Sequence, residues 1–171
     1  VDGLSDPRGL AIKDNYLYIA EYDGDKISKI DINETNPTLI NVVTNLDKPL
    51  KLKFKGNDLF FTQFGGKISK IDVTQTVPSV IDIITSINYP TALAINGNKL
   101  YVFDSNLWIL YRIDITENNP QLEEILTIGQ YDPYYINDLE FHGDDLYAIG
   151  SARIFKINID SLSLEESNVN N

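Results

Sequence analysis

The chain has no cysteine and no methionine, and only one tryptophan and one histidine among its 171 residues. Zero cysteine removes disulfides, thiolate metal sites and a cysteine nucleophile together. The lone histidine, His142, reads as a surface residue in a turn, and no nucleophile elbow accompanies it, so Ser-His-Asp chemistry is not indicated. Basic residues are also few: Lys plus Arg is 14 against 25 Asp plus Glu, a formal net charge of −11. A surface that acidic repels phosphate, which argues against nucleic acid and against an anionic membrane surface. No apolar run approaches the roughly 20 residues that a helix needs to cross a bilayer, so no membrane insertion is expected. Gly-rich phosphate loops are missing too. The chain begins at Val1, and with the acidic, cysteine-free composition this raises the expectation of an exported protein whose leader has been removed.

What is present is repetition. KISKID occurs at 26–31 and again at 67–72. Aligned on its last residue, Asp31, Asp72, Asp114 and Asn158 follow one pattern, at steps of 41, 42 and 44 residues. Upstream of each lie two further shared elements, such as GLAIKD then NYLYIAEY, or ALAING then NKLYVFDS. Downstream lies a fourth, TLINVVTN, SVIDIITS or QLEEILTI, degenerate in the last copy. Each element is a short apolar or alternating run rich in Ile, Leu, Val, Tyr and Phe, which predicts a strand. Asp14-Asn15, Gly56-Asn57, Gly97-Asn98 and Gly143-Asp144 separate the first two strands as tight hairpins require. Four short antiparallel strands every 41–44 residues define a propeller blade. The expected fold is therefore all-β: one propeller domain over 1–171, with four four-stranded blades at about 6–46, 47–87, 88–130 and 131–169. Asp31, Asp72 and Asp114 recur at one position per blade, which predicts a structural turn rather than a catalytic cluster. Lys29, Lys70, Arg112 and Lys156 likewise predict a solvated strand face with opposite charges adjacent.

Pro7-x-Gly9-Leu10-Ala11-Ile12 followed by Leu17-Tyr18-Ile19-Ala20-Glu21 resembles an NHL-type repeat. So does Pro90-Thr91-Ala92-Leu93-Ala94-Ile95 followed by Leu100-Tyr101-Val102-Phe103-Asp104. The resemblance implies a propeller related to scaffolds, ligand-binding ectodomains, gluconolactonase-like hydrolases and streptogramin lyases. Residues 161–171 resemble the junction that precedes the sorting domain of type IX secreted bacterial proteins. A secreted or cell-surface bacterial protein is the resulting expectation.

Four copies leave the ring open to three readings: two chains in an eight-bladed ring, one chain closing on four blades, or a segment of a longer protein. Val1-Asp2-Gly3-Leu4 matches Val43-Thr44-Asn45-Leu46, the tail of the first blade, so the N-terminus reads as the tail of a preceding blade.

In relatives of this kind, ligands sit on the face formed by the loops into the first strands and those between second and third strands. Those loops hold Arg8, Tyr22, Trp108, Asn137 and Asp138, and an insertion before the last blade adds Tyr131, Tyr134 and Tyr135. Together they are the candidate ligand-binding residues, an aromatic platform with polar contacts for a glycan or peptide. The expected function is an exported binding module without cofactor. One alternative is a metal-dependent, lactonase-like hydrolase holding one divalent cation such as calcium on Glu21, Asp104 and Asp138. The other is a purely structural segment of a larger surface protein.

Overall fold

A computed structural model describes residues 1–128, 136–150 and 153–161, and the backbone of 163–166. The chain divides into two compact units, Val1–Ile87 and Asn88–Asn171. The first unit holds β1 (Pro7–Lys13), β2 (Tyr16–Glu21), β3 (Lys26–Asp31) and β4 (Ile40–Val43), then β5 (Pro49–Lys55), β6 (Asp58–Gln63), β7 (Lys67–Asp72) and β8 (Ile81–Ile84). The second holds β9 (Pro90–Asn96), β10 (Lys99–Asp104), β11 (Ile109–Asp114) and β12 (Glu123–Thr127), then β13 (Asp138–His142), β14 (Asp145–Ile149), β15 (Ile154–Asn158) and β16 (Ser163–Glu166). Each set of four is an antiparallel meander in chain order, the four-stranded blade read from the repeat. No helix is present among the described residues.

Local chemistry explains the meanders. The first turn residues Asp14, Gly56, Gly97 and Gly143 all have φ between 52° and 62°. Glycine adopts that left-handed backbone without penalty, and aspartate is among the few side chains that tolerate it. Three first strands open on Pro7, Pro49 and Pro90, where a missing N–H costs no ladder bond. After each third strand an Asx turn forms. Asp31, Asp72 and Asp114 accept the N–H of Asn33, Thr74 and Thr116 at 2.9 Å, and Asn158 accepts that of Asp160 at 3.0 Å. Asparagine can replace aspartate there because either supplies Oδ1. Asp25, Gly66 and Trp108, just before the third strands, share a second left-handed position, with φ of 50°, 85° and 61°. Their carbonyls accept the N–H of Leu46, Ile87 and Ile128, which fastens the end of each fourth strand. A tryptophan held at positive φ is strained by roughly 1–2 kcal/mol, so this contact is imposed by the blade rather than by local preference.

Each unit has its own core, built blade on blade. In the first, Tyr18, Ala20 and Ile27 of the leading blade pack with Leu52, Leu59, Phe61 and Ile71 of the next. In the second, Ala94, Tyr101, Phe103 and Leu110 pack with Leu139, Leu146, Ala148 and Ile157. An edge-on aromatic pair repeats in both: Tyr18 on Phe54 at 5.0 Å, and Tyr101 on Phe141 at 4.9 Å. Gly9 lies so close to the next blade that an added Cβ would stand 2.2 Å from the Leu50 carbonyl oxygen. The repeated cations meet neighbours as a solvated face would: Lys70 with Asp58, Lys156 with Asp145, Arg112 with Glu123, and Lys29 over the Tyr16 ring at 4.2 Å.

Candidate functional site

The backbone brings four side chains of the first unit together where first strands begin and second strands end. Arg8 opens β1, Tyr22 follows β2, Lys48 precedes β5 and Phe64 follows β6. The Arg8 guanidinium carbon is 5.2 Å from the Tyr22 ring centre. The Lys48 ammonium is 4.9 Å from that ring and 5.8 Å from the Phe64 ring. The two rings meet edge to face at 5.8 Å. All three cation distances fall within the roughly 6 Å over which an aromatic quadrupole attracts a cation.

Each cation is aimed by its own surroundings. Asp6 accepts Arg8 Nε at 2.9 Å and a terminal guanidinium nitrogen at 2.8 Å, fixing the plane of the group. Lys48 has φ of 51° although a proline follows, and its N–H donates to Asp25 Oδ1 at 3.1 Å. A residue before proline is normally extended, so this left-handed turn is strain held by its neighbours. Asp6, before Pro7, repeats it at 48°. Phe64 remains 42% exposed, so the cluster presents an open aromatic surface bordered by two cations on an otherwise acidic protein.

Each unit also holds buried polar acceptors at the ends of its second strands. Glu21 and Asp104 are fully buried and Gln63 nearly so, at equivalent ends of β2, β10 and β6. Each accepts the backbone N–H of the residue entering its own first strand: Ser5 at 2.9 Å, Asn88 at 2.9 Å and Asp47 at 2.8 Å. Glu21 is also bonded by Ser28 and lies 3.5 Å from Lys26 Nζ. Asp104 takes three further N–H groups, from Tyr89, Asn106 and Leu107. In the second blade the hydrogen bonds continue from Gln63 to Ser69 and on to Asp82, which Lys67 closes at 2.7 Å. Burial works to raise the Asp82 carboxyl, but hydrogen bonds from Lys67 and Ser69 outweigh it and hold it low. Burial and the charges of Asp104 and Glu124 push the Tyr111 phenol up. Buried carboxylates persist only when bonded this fully. A cation on Glu21 or Asp104 would have to displace those bonds, and the amide Gln63 fills the same place without any charge.

The other expected residues fall as follows. Arg8 and Tyr22 are brought together. Trp108 is partly buried against the core of the second unit. Asn137 is exposed, and its N–H donates to Ile149 O at 2.8 Å. Asp138 is half-buried, with Oδ1 accepting the Leu139 N–H at 3.0 Å. Tyr131, Tyr134 and Tyr135 lie outside the described residues, as does most of the C-terminal tail. Lys48 was not visible from sequence; its signal is its place before Pro49, equivalent to Asp6 before Pro7. Among the described residues no three His, Cys, Asp or Glu side chains gather around a common point.

No protein-family model and no curated protein matches the chain. Solved structures do. A streptogramin B lyase is similar with a TM-score of 0.72 and 18% identity over 95% of this chain and 54% of that one. A catalytically inactive variant of virginiamycin B lyase from Staphylococcus aureus with quinupristin is similar at 0.69 and 16%, over 94% and 54%. The computationally designed Ika4 protein is similar at 0.61 and 16%, over 96% of this chain and 91% of that one. At such identities the likeness shows the fold alone, that of the β-propeller. The chain spans about half the length of the lyases it matches.

Proposed function

We propose that the protein is an exported binding module of the β-propeller class, built on NHL-like repeats, that takes a glycan or peptide ligand on the Arg8–Tyr22–Lys48–Phe64 surface. The observation that carries the reading is the pair of aromatic rings with two cations held within 6 Å of them. The exposed part of the Phe64 ring suits the apolar face of a sugar or an aromatic peptide side chain. Arg8 and Lys48 suit a carboxylate on the same ligand, because a guanidinium donates in a fork and an ammonium acts as a point charge. In the first unit Glu21 and Gln63 tie the segments entering β1 and β5 to the ends of β2 and β6, which favours binding without a large ordering cost.

The test is a glycan array and a peptide array probed with the 171-residue chain, followed by titration calorimetry on the strongest hit. Tyr22→Ala and Lys48→Ala are expected to weaken that hit by about tenfold or more each, the scale of a lost ring or charged contact. Blank arrays, or affinities that the two substitutions leave unchanged, overturn the reading.

A further inference from the structure

Several equivalent positions of successive blades have different exposures, although Ile19 is buried like its counterpart Phe61, and the difference identifies a surface. In the second blade, Leu52, Phe54, Leu59, Phe61 and Ile71 form the face that receives the preceding blade. In the last blade, Leu139, Phe141, Leu146, Ala148 and Ile157 do the same. The first blade carries the same set as Leu10, Ile12, Leu17, Ile19 and Ile30. Here Leu10 is 61% and Ile12 63% exposed. Leu10, Leu17, Ile19 and Ile30 line an open groove of about 520 Å³ with Val1 and Leu4.

The opposite faces show the matching pattern. Tyr18, Ala20 and Ile27 in the first unit, and Tyr101, Phe103 and Leu110 in the second, insert into the receiving face of the next blade. Their equivalents in the last blade are Tyr147, Ile149 and Ile154. Ile149 is 48% and Ile154 49% exposed, and the three border a cavity of about 250 Å³. One chain thus shows a receiving face of the packed type at its start and an inserting face of the packed type at its end.

The first residues give a third observation. Leu46 and Ile128, at the ends of their blades, are buried in the cores of their units, and each is fastened by its N–H to the carbonyl before the third strand. Leu4 holds the equivalent position ahead of the first blade and is only half-buried. It has the sequence of a blade tail and lies beside the receiving face.

We infer that the receiving face of the first blade takes the inserting face of the last blade of a second copy of this chain, and that the exchange is mutual. The blade-on-blade packing inside each unit is the template, so the new junction continues an interface the molecule already uses twice. The template assigns the contact: Tyr18 on Phe54 and Tyr101 on Phe141 become Tyr147 of one copy on Ile12 of the other. Leu4 of the receiving copy closes over the same junction. A pair related in this way has two identical junctions, and mutual exchange makes it closed rather than filamentous. The inference does not depend on the ligand proposed above.

Light scattering across a dilution series tests it. The wild-type chain is expected at about 39 kDa, twice the 19.3 kDa of one chain. Ile12→Asp and Tyr147→Lys are each expected to give 19.3 kDa species with unchanged far-ultraviolet circular dichroism. Mixing the two variants is expected to restore the larger mass, because one junction is then wild type and the other pairs Asp with Lys. Leu10→Ser, at a position already exposed in the single chain, is the gentler variant should either substitution disturb folding, and it too is expected to yield the smaller mass. A wild-type chain that stays at 19.3 kDa at every concentration overturns the inference. So does a larger species that none of the substitutions dissociates, or a mixture that fails to reassemble.

Discussion

Equivalent positions at the loop end carry different chemistry in the two units. The first has Arg8, Tyr22, Lys48 and Phe64, with both cations within 6 Å of the Tyr22 ring. Where Arg8 and Tyr22 stand, the leading blade of the second has Thr91 and Ser105, whose hydroxyls bond to each other while Thr91 also donates to the Ile136 carbonyl at 2.8 Å. One unit reaches toward solvent and the other closes on itself. Below this level the units are alike: the same hairpins, Asx turns, buried acceptors and Tyr–Phe pair. The contrast separates what repeats because the fold needs it from what differs because the fold leaves it free. Arg8 and Tyr22 gain functional weight by being dispensable in their counterparts.

The likeness of the cores can be broken first. Phe61 and Phe103 are both fully buried, and either change to alanine should cost about 3–5 kcal/mol. Urea denaturation should show comparable losses if the two cores are equivalent. A large loss in one and a trivial loss in the other would end the equivalence. A smaller effect is expected where the units differ in the backbone. Gly9→Ala should cost about 1–3 kcal/mol because its Cβ meets the Leu50 carbonyl. The counterpart Ala92 already carries a Cβ at full burial, and Ala92→Gly should cost only about 0.5–1 kcal/mol through backbone entropy. Equal melting temperatures for the two variants would contradict the close approach at Gly9.

The smallest effect concerns acid. The Lys99 ammonium bonded to Asp114, and the Thr116 bonds, hold that carboxyl well below the usual range. Arg112 does the same to Glu123 in the second unit, and Thr74 to Asp72 in the first. A carboxyl depressed in the folded state gives stability that is present above the ordinary carboxylate range near pH 4. That stability is lost as pH falls further, because the unfolded chain takes up protons first. Melting temperature should therefore hold steady from pH 7 down to about pH 4 and decline below it. Asp114→Asn keeps the turn acceptor but removes the ion pair, so its acid decline should be shallower. A decline as steep as wild type would remove Asp114 from the account.

The blades were legible because every level of the sequence agreed. The 41–44-residue spacing, the period-two apolar runs and the turn residues all selected the same hairpins. The Asx role of Asp31 was legible from repetition alone, since a catalytic residue is not copied into every blade. The site was harder to read for specific reasons. Glu21 and Asp104 have the composition of cation ligands, and nothing local announces that each is buried on its own backbone. Lys48 reaches Tyr22 only through a left-handed turn before proline, a geometry that pattern reading assigns as extended. Trp108 stands in a loop at φ 61° and packs partly on the core of the second unit, neither of which a pattern of residue types displays.

The identical KISKID strands, β3 and β7, occupy the same place in adjacent blades, both pairing through Ile27 or Ile68 with the fourth strand at the same register. That identity has a consequence for the array. Removing the 41 residues from one KISKID to the next would join β1, β2, a single third strand and β8 with the hairpins and Asx turn intact, and inserting the same 41 residues would add one complete blade. The third strands therefore mark a point at which the array can gain or lose a blade without any strand losing its register.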